Sequence, residues 1–194
     1  ATFERQEDGS WLPGGPNALH DTYVIRAPLV GDGFSGVLLE CMPDARIPNK
    51  SLGRYRNGNF VLTRVLAEIL GPGDRRTPVK LVRQEAEYSQ KGWHVNQVND
   101  GNNKKGWAVD GPTRRKPIKA MFLAAVPVKV GEGSQLEVRL VHETLSQHNI
   151  GRFRLSATGA PPDSVGLGGV TIPAAVQAAA DAEEPDAKQM QVLA

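Results

Sequence analysis

The sequence predicts an all-β domain, and three observations predict it. Glycine (21) and proline (14) are abundant, and both punctuate a chain with turns. Helical periodicity is scarce before the C-terminus. Short runs of alternating apolar and polar residues recur between the turns. The run Gln135–His142 puts Leu136, Val138 and Leu140 on one face, and Gly151–Ser156 puts Phe153 and Leu155 inward with Arg152 and Arg154 outward. At 194 residues the chain suits one domain with an appendage, large enough to bury a core without disulfides.

Taken in order, residues 8–17 are turn-rich, and Thr22–Arg26 is the first clear strand. Ser35–Cys41 is the second, ended by Pro43. A long polar loop, 43–58, leads into Asn59–Leu70, a run long for one strand whose apolar phase shifts near Arg64. That shift predicts a bulge or bend. Gly71–Arg76 breaks the chain, and further strands are expected at 78–83, 117–125, 134–142 and 150–158. The domain is therefore expected to span 1–158, followed by a linker at 159–172. A helical connector at 173–194, opened by Pro173 and interrupted by Pro185, is expected to lead into a further domain.

Composition narrows the function classes. A formal charge of +2 gives no argument for nucleic acid. No apolar run approaches the length of a membrane span. No signal sequence opens the chain, and Ala1–Glu4 reads like a cut inside a larger polypeptide. The single cysteine, Cys41, rules out an internal disulfide and a Cys-x-x-Cys-His haem attachment, so no haem is expected in this chain. Its apolar neighbours Val37, Leu38 and Leu39 favour burial over nucleophilic use. Gly31-Asp32-Gly33-Phe34-Ser35-Gly36 has the glycine spacing of a dinucleotide loop but precedes a strand, so it reads as a turn. No Ser/His/Asp set, His-Glu-x-x-His motif or paired catalytic carboxylates are recognisable, and no enzymatic activity is expected.

The most informative stretch runs from Val95 to Trp107. Asp100-Gly101 makes a tight turn, Asn102 adds an oxygen, and Trp107 closes the loop. This spacing resembles the calcium loop of discoidin-type, galactose-binding-like β-sandwiches, where converging oxygens hold a structural ion. Asn57-Gly58-Asn59-Phe60-Val61-Leu62-Thr63 and His148-Asn149-Ile150-Gly151-Arg152-Phe153-Arg154-Leu155-Ser156 extend the likeness over roughly residues 5–160. Together the motifs resemble a non-catalytic module of planctomycete-type multidomain proteins that carry c-type cytochrome domains. The resemblance implies a galactose-binding-like jelly roll, carbohydrate binding, and a periplasmic, cell-surface or secreted location. The motif order implies a circular permutation of the discoidin arrangement, which would bring Arg64 near Asp100. Two departures weaken calcium at Asp100 and Asn102. Lys105 replaces the usual threonine, and Arg64 stands where an acidic residue normally follows Thr63.

Candidate ligand-binding residues follow from chemistry. Trp93 beside His94, in a polar turn, is the candidate stacking platform for a sugar ring, whereas Trp107 reads as core and Trp11 as packing under the N-terminal loop. Arg54, Tyr55, Arg56 and Asn57 combine fork-shaped donors, an aromatic and an amide in one loop, suited to vicinal hydroxyls or a sulfate. The competing reading has Asn57 and Asn59 capping the turn. His148 with Arg152 either binds an anion or orders the loop before the last strand. Basic clusters at 54–56, 75–76, 104–105 and 114–116 would, if two or more converge, make a rim for an anionic, sulfated polysaccharide. Apart from the glycan, the partners expected are neighbouring domains of a parent chain. The alternative function is a structural or protein-interaction domain that positions those neighbours.

Overall fold

The computed structural model describes residues 1–73 and 75–170; the expected connector at 173–194 lies outside them. The ten main strands are β1 (Thr2–Arg5), β2 (Trp11–Gly14), β3 (Asp21–Pro28), β4 (Gly33–Met42), β5 (Arg64–Leu70), β6 (Arg76–Val79), β7 (Leu81–Ala86), β8 (Ile118–Lys129), β9 (Gln135–His142) and β10 (Arg152–Thr158). They form a β-sandwich of two antiparallel sheets, one ordered β1-β2-β10-β4-β8-β7 and the other β3-β9-β5-β6. The core between the sheets comes from the alternation in each strand: Val37, Leu39 and Cys41 from β4 meet Val65, Ala67, Leu136, Val138 and Leu140 from the facing sheet. Burial pushes the Cys41 thiol well above its ordinary range, so it is inert packing.

Four expectations change. The turn-rich start contains β1 and β2, joined by a tight hairpin in which Gln6 N–H donates to the Ser10 carbonyl at 2.8 Å. Pro13 is tolerated in β2 because β10 reaches that strand only at Trp11, so the missing N–H faces no partner there. The Asn59–Leu70 run is not one bent strand. Phe60, Val61, Leu62 and Thr63 are a fully buried loop segment, and β5 starts at Arg64, where the apolar phase shifts.

The strand expected at 78–83 is two strands in different sheets. β6 pairs with β5, Lys80 crosses the sandwich, and β7 pairs with β8. Finally, part of the stretch expected as linker is structured. Pro162–Ser164 forms a 3-10 turn, and β11 (Val165–Gly166) pairs with β12 (Gly169–Val170). Val165 and Gly166 border a cleft with Leu38, Met121 and Leu123 on the outer face of the six-stranded sheet, and Arg83 donates to the Val165 carbonyl at 2.8 Å.

Antiparallel alternation sorts the connections by length. Segments 29–32, 71–75 and 130–134 are short and lie at one end. Segments 15–20, 43–63, 87–117 and 143–151 all lie at the other. A rigid scaffold thus presents nearly all of its irregular chain at a single end.

Candidate functional site

The long loops hold one another through buried amides. Asn59 is 7% exposed; its Oδ1 accepts from Val109 N–H (3.3 Å) and Gly111 N–H (3.1 Å), and its Nδ2 donates to Gln90 Oε1 (2.9 Å). One side chain therefore ties loop 43–63 to two points of loop 87–117. Gly111 lies so close to this loop that a Cβ there would sit 2.1 Å from the Gly58 carbonyl carbon, so only glycine fits. Trp107 is fully buried, exchanges backbone bonds with Leu62 at 2.9 Å both ways, and donates its indole N–H to the Tyr88 carbonyl at 2.9 Å. Asn149, also fully buried, donates to Asn17 Oδ1 (2.7 Å) and the Ala18 carbonyl (2.9 Å), joining loop 143–151 to loop 15–20.

Three of the expected ligand-binding residues, Tyr55, Arg56 and His148, meet on this framework. The rings of Tyr55 and His148 stack at 3.9 Å with 21° between their planes, and the Arg56 guanidinium lies 5.7 Å from the Tyr55 ring centre. Burial holds the His148 imidazole below its ordinary value despite the opposing hydrogen bond to the Ser146 carbonyl. Arg54 turns inward: its Nη2 donates to the carbonyls of Gly15 (2.6 Å) and Gly14 (3.3 Å), so it clamps β2. Asn57 caps its own turn, its Oδ1 accepting from Asn59 N–H at 2.9 Å.

Trp93 and His94 sit on the neighbouring loop. Trp93 is half-buried, with Lys105 Nζ 5.9 Å from its ring centre. His94 is exposed and accepts from Asn96 N–H, capping the short turn Val95–Gln97. Arg152 does not join His148. It bonds Asp8 Oδ2 (2.7 Å) and Ser10 Oγ (2.8 Å), with Asp44 Oδ2 at 3.5 Å. Trp11 is half-buried on β2 under the Arg5 guanidinium rather than packed beneath a loop.

Backbone strain and positive charge both favour the long-loop end. Asn49, Lys50, Asn99, Asp110 and Gln147 have positive φ (48° to 64°), and every one lies in loops 43–63, 87–117 or 143–151. Such conformations are unfavourable outside glycine and collect where function constrains the backbone. Of the four basic clusters, 54–56, 104–105 and 114–116 are at this end, and 75–76 is at the other. Arg56, Lys104, Lys105, Arg115 and Lys116 are exposed, whereas Arg114 stacks 3.6 Å from the Tyr88 ring centre.

In the Asp100 loop, Asp100 Oδ1 accepts from Asn102 N–H (2.7 Å) and Asn102 Oδ1 from Lys104 N–H (3.0 Å), two successive side-chain-closed turns. Among the described residues no three His, Cys, Asp or Glu side chains cluster as a metal site. Asn99 lies against Val65 through two bonds (2.9 and 2.8 Å), which brings this loop beside the start of β5. The Arg64 guanidinium there pairs with Glu143 at 2.6 Å.

Sequence reasoning missed Asn17, Tyr88 and Gln147. Asn17, in the turn-rich run 8–17, was given no binding role, and Gln147 borders a motif without belonging to it. Among the described residues no helix is long and apolar enough to cross a membrane. No family model matches the chain, and no curated protein or solved structure matches it either.

Proposed function

We propose that the long-loop end is a non-catalytic carbohydrate-binding surface for an anionic, sulfated glycan, carried by one module of a larger exported protein. The observation that carries this reading is the company of groups at that end. Trp93 and the Tyr55–His148 stack offer aromatic faces for sugar rings, and exposed Arg56, Lys104, Lys105, Arg115 and Lys116 offer cations for sulfate. The strand order gives secondary support to a galactose-binding-like jelly roll. β2-β10-β4-β8 faces β3-β9-β5-β6, so most consecutive strands alternate between the two sheets.

One observation favours a second reading, a domain that positions its neighbours. Arg54, Asn57, Asn59 and Asn149 spend hydrogen bonds on the loops themselves, as a rigid spacer requires. Binding to sulfated and desulfated forms of one polysaccharide, compared at low and moderate salt, separates the two. The glycan reading expects the sulfated form to bind more tightly and to weaken with salt. Equal, salt-independent affinity discards the anionic ligand, and no binding to either form favours the spacer.

A further inference from the structure

A cleft of about 390 Å³ opens along the side of the sandwich, away from the long loops. It exists because two sheet edges face each other there unpaired. β10 is bonded to β2 only at Phe153, leaving Arg154–Thr158 without a neighbour on that side, and β3 is the edge of the opposite sheet. Ile25, Val37, Leu136, Val138 and Leu155 line the cleft, and Trp11 walls it. Its volume falls within the range of small-molecule sites, and its lining is mostly apolar, with two cations, Arg5 and Arg26, at its border.

Arg26 is held by Glu137, so the cation open to a ligand is Arg5. Side chains alternate along a strand, so Arg5 shares the face of Phe3. Phe3 points into the sandwich, its ring 5.0 Å from Tyr23 and 6.2 Å from Phe153. Arg5 also stands directly opposite Trp11 in the β1–β2 register, its guanidinium 6.0 Å from the indole centre. Among the described residues it pairs with no carboxylate, unlike Arg26 nearby, which bonds Glu137 at 2.6 Å. An arginine facing inward over an apolar cleft has two uses. It wards off edge-to-edge pairing, or it receives an anion whose apolar body fills the space behind it.

We propose that this cleft binds a monoanionic amphiphile of medium length, its apolar chain between Trp11 and Leu155 and its carboxylate on Arg5. The site is separate from the glycan surface and does not depend on it. The guanidinium supplies a charge-assisted, two-pronged contact, and the cleft supplies burial that the open edges leave unmade.

The test uses the full chain with octanoate, octanol, and octanoate carrying a terminal bromine. Calorimetry is expected to show one octanoate per chain, with octanol about tenfold weaker because it forgoes the charged contact. Arg5→Gln should weaken octanoate about tenfold and leave octanol unchanged. Each methylene removed from the acid should weaken binding about fourfold. The brominated acid should quench a share of tryptophan emission that disappears in Trp11→Phe. Ala27→Phe and Ala157→Phe, at exposed positions on the inward faces of β3 and β10, should abolish binding of both ligands while leaving the unfolding transition in place. Absence of octanoate binding up to about 1 mM overturns the proposal. So does equal affinity in Arg5→Gln, or quenching that survives in Trp11→Phe. An Arg5→Gln chain that binds no differently but self-associates would identify Arg5 as edge protection.

Discussion

Glu68 and Glu137 stand directly opposite one another on β5 and β9, two carboxylates in register across an antiparallel pair. Facing like charges destabilise a sheet, and Glu137 is nearly inaccessible, with a side chain 1% exposed. Three arginines resolve the conflict. Arg139 reaches both carboxylates, by Nε to Glu137 (2.8 Å) and Nη2 to Glu68 (3.1 Å). Arg76 holds Glu68 at 2.9 Å, and Arg26 holds Glu137 at 2.6 Å. Burial alone would raise the Glu137 carboxyl, but the guanidinium bonds outweigh it and the net direction is below 4.5. The stability this contributes is present above that value and is lost as pH falls through the folded one.

The first prediction uses this relationship. Arg139→Ala should cost about 1 to 2 kcal/mol, discounted for the arginine's partial exposure, because it leaves the two carboxylates facing each other with less compensation. Glu68→Gln alone should be mildly destabilising, since it gives up two ion pairs. In the Arg139→Ala background the same change should stabilise. Urea denaturation of the four chains checks this, and additive effects would mean that the pair does not repel.

His142 supplies the second prediction. It is buried against the Tyr23 ring at 4.8 Å, with Nδ1 3.1 Å from the Asp21 carbonyl and Nε2 3.3 Å from the Ile150 N–H. Ile150 N–H is a donor, so Nε2 accepts, Nδ1 carries the proton, and the ring is neutral. Burial pushes its pKa down to about 4, against the opposing effect of the Asp21 carbonyl bond. The unfolded chain takes up this proton near 6.5 and the folded chain only near 4. Stability therefore falls as pH drops through that window, by about 3 kcal/mol. His142→Gln should remove most of the slope between pH 6.5 and 4.5 in urea-midpoint measurements, and an unchanged slope would assign it to other groups.

Much of the fold was readable because its signals are local. The alternation in Gln135–His142 and Gly151–Ser156 specifies strand and inward face at once, and β9 and β10 form there. β1 and β2 were hidden because Pro13 and Gly14 carry turn signals whatever their neighbours, and only tertiary context shows that no partner needs the proline N–H. The sheet switch at Lys80 was invisible for a related reason. Strand character continues on both sides of it, and pairing partners are not written in local periodicity. At the site, Tyr55 and His148 were each identifiable as aromatic groups in polar loops, but their stacking is a long-range consequence of how loops 43–63 and 143–151 close. The grouping of His148 with Arg152 failed because nearness in sequence is not nearness of side chains. β10 starts between them and directs Arg152 to Asp8 and Ser10.

The Asp100 loop gives a third prediction. Its turns are closed by Asp100 and Asn102 themselves, each accepting a backbone N–H two residues on, which engages one oxygen of each side chain. Lys104 and Lys105 follow directly and oppose a divalent cation. Adding calcium, or a chelator, is expected to move the melting temperature by less than about 1 °C, because a ligand stabilises only as far as it binds the native state. A chelator-induced fall of several degrees would restore a structural ion at Asp100 and Asn102.

The last prediction asks whether charge acts at the long-loop end or over the whole molecule. Lys104 and Lys105 are exposed on loop 87–117, with Lys105 beside the Trp93 ring. Arg75 and Lys129 are exposed at the opposite end, where they border one shallow cleft. Replacing either pair by glutamine removes the same net charge, so a general electrostatic attraction would respond equally to both. A localised site would not. Contacts within a Debye length of the anion, about 8 Å at physiological salt, feel the loss, while charges across the sandwich are screened. Lys104→Gln/Lys105→Gln should therefore weaken binding to a sulfated polysaccharide about threefold to tenfold and flatten its salt dependence. Arg75→Gln/Lys129→Gln should leave both within error. Trp93→Ala, tested alongside, should weaken binding without changing the salt slope, because stacking carries no counterion term. Equal losses from the two lysine and arginine pairs would mean that the anion meets the protein as a diffuse cation, and the long-loop surface would lose its claim to be the site.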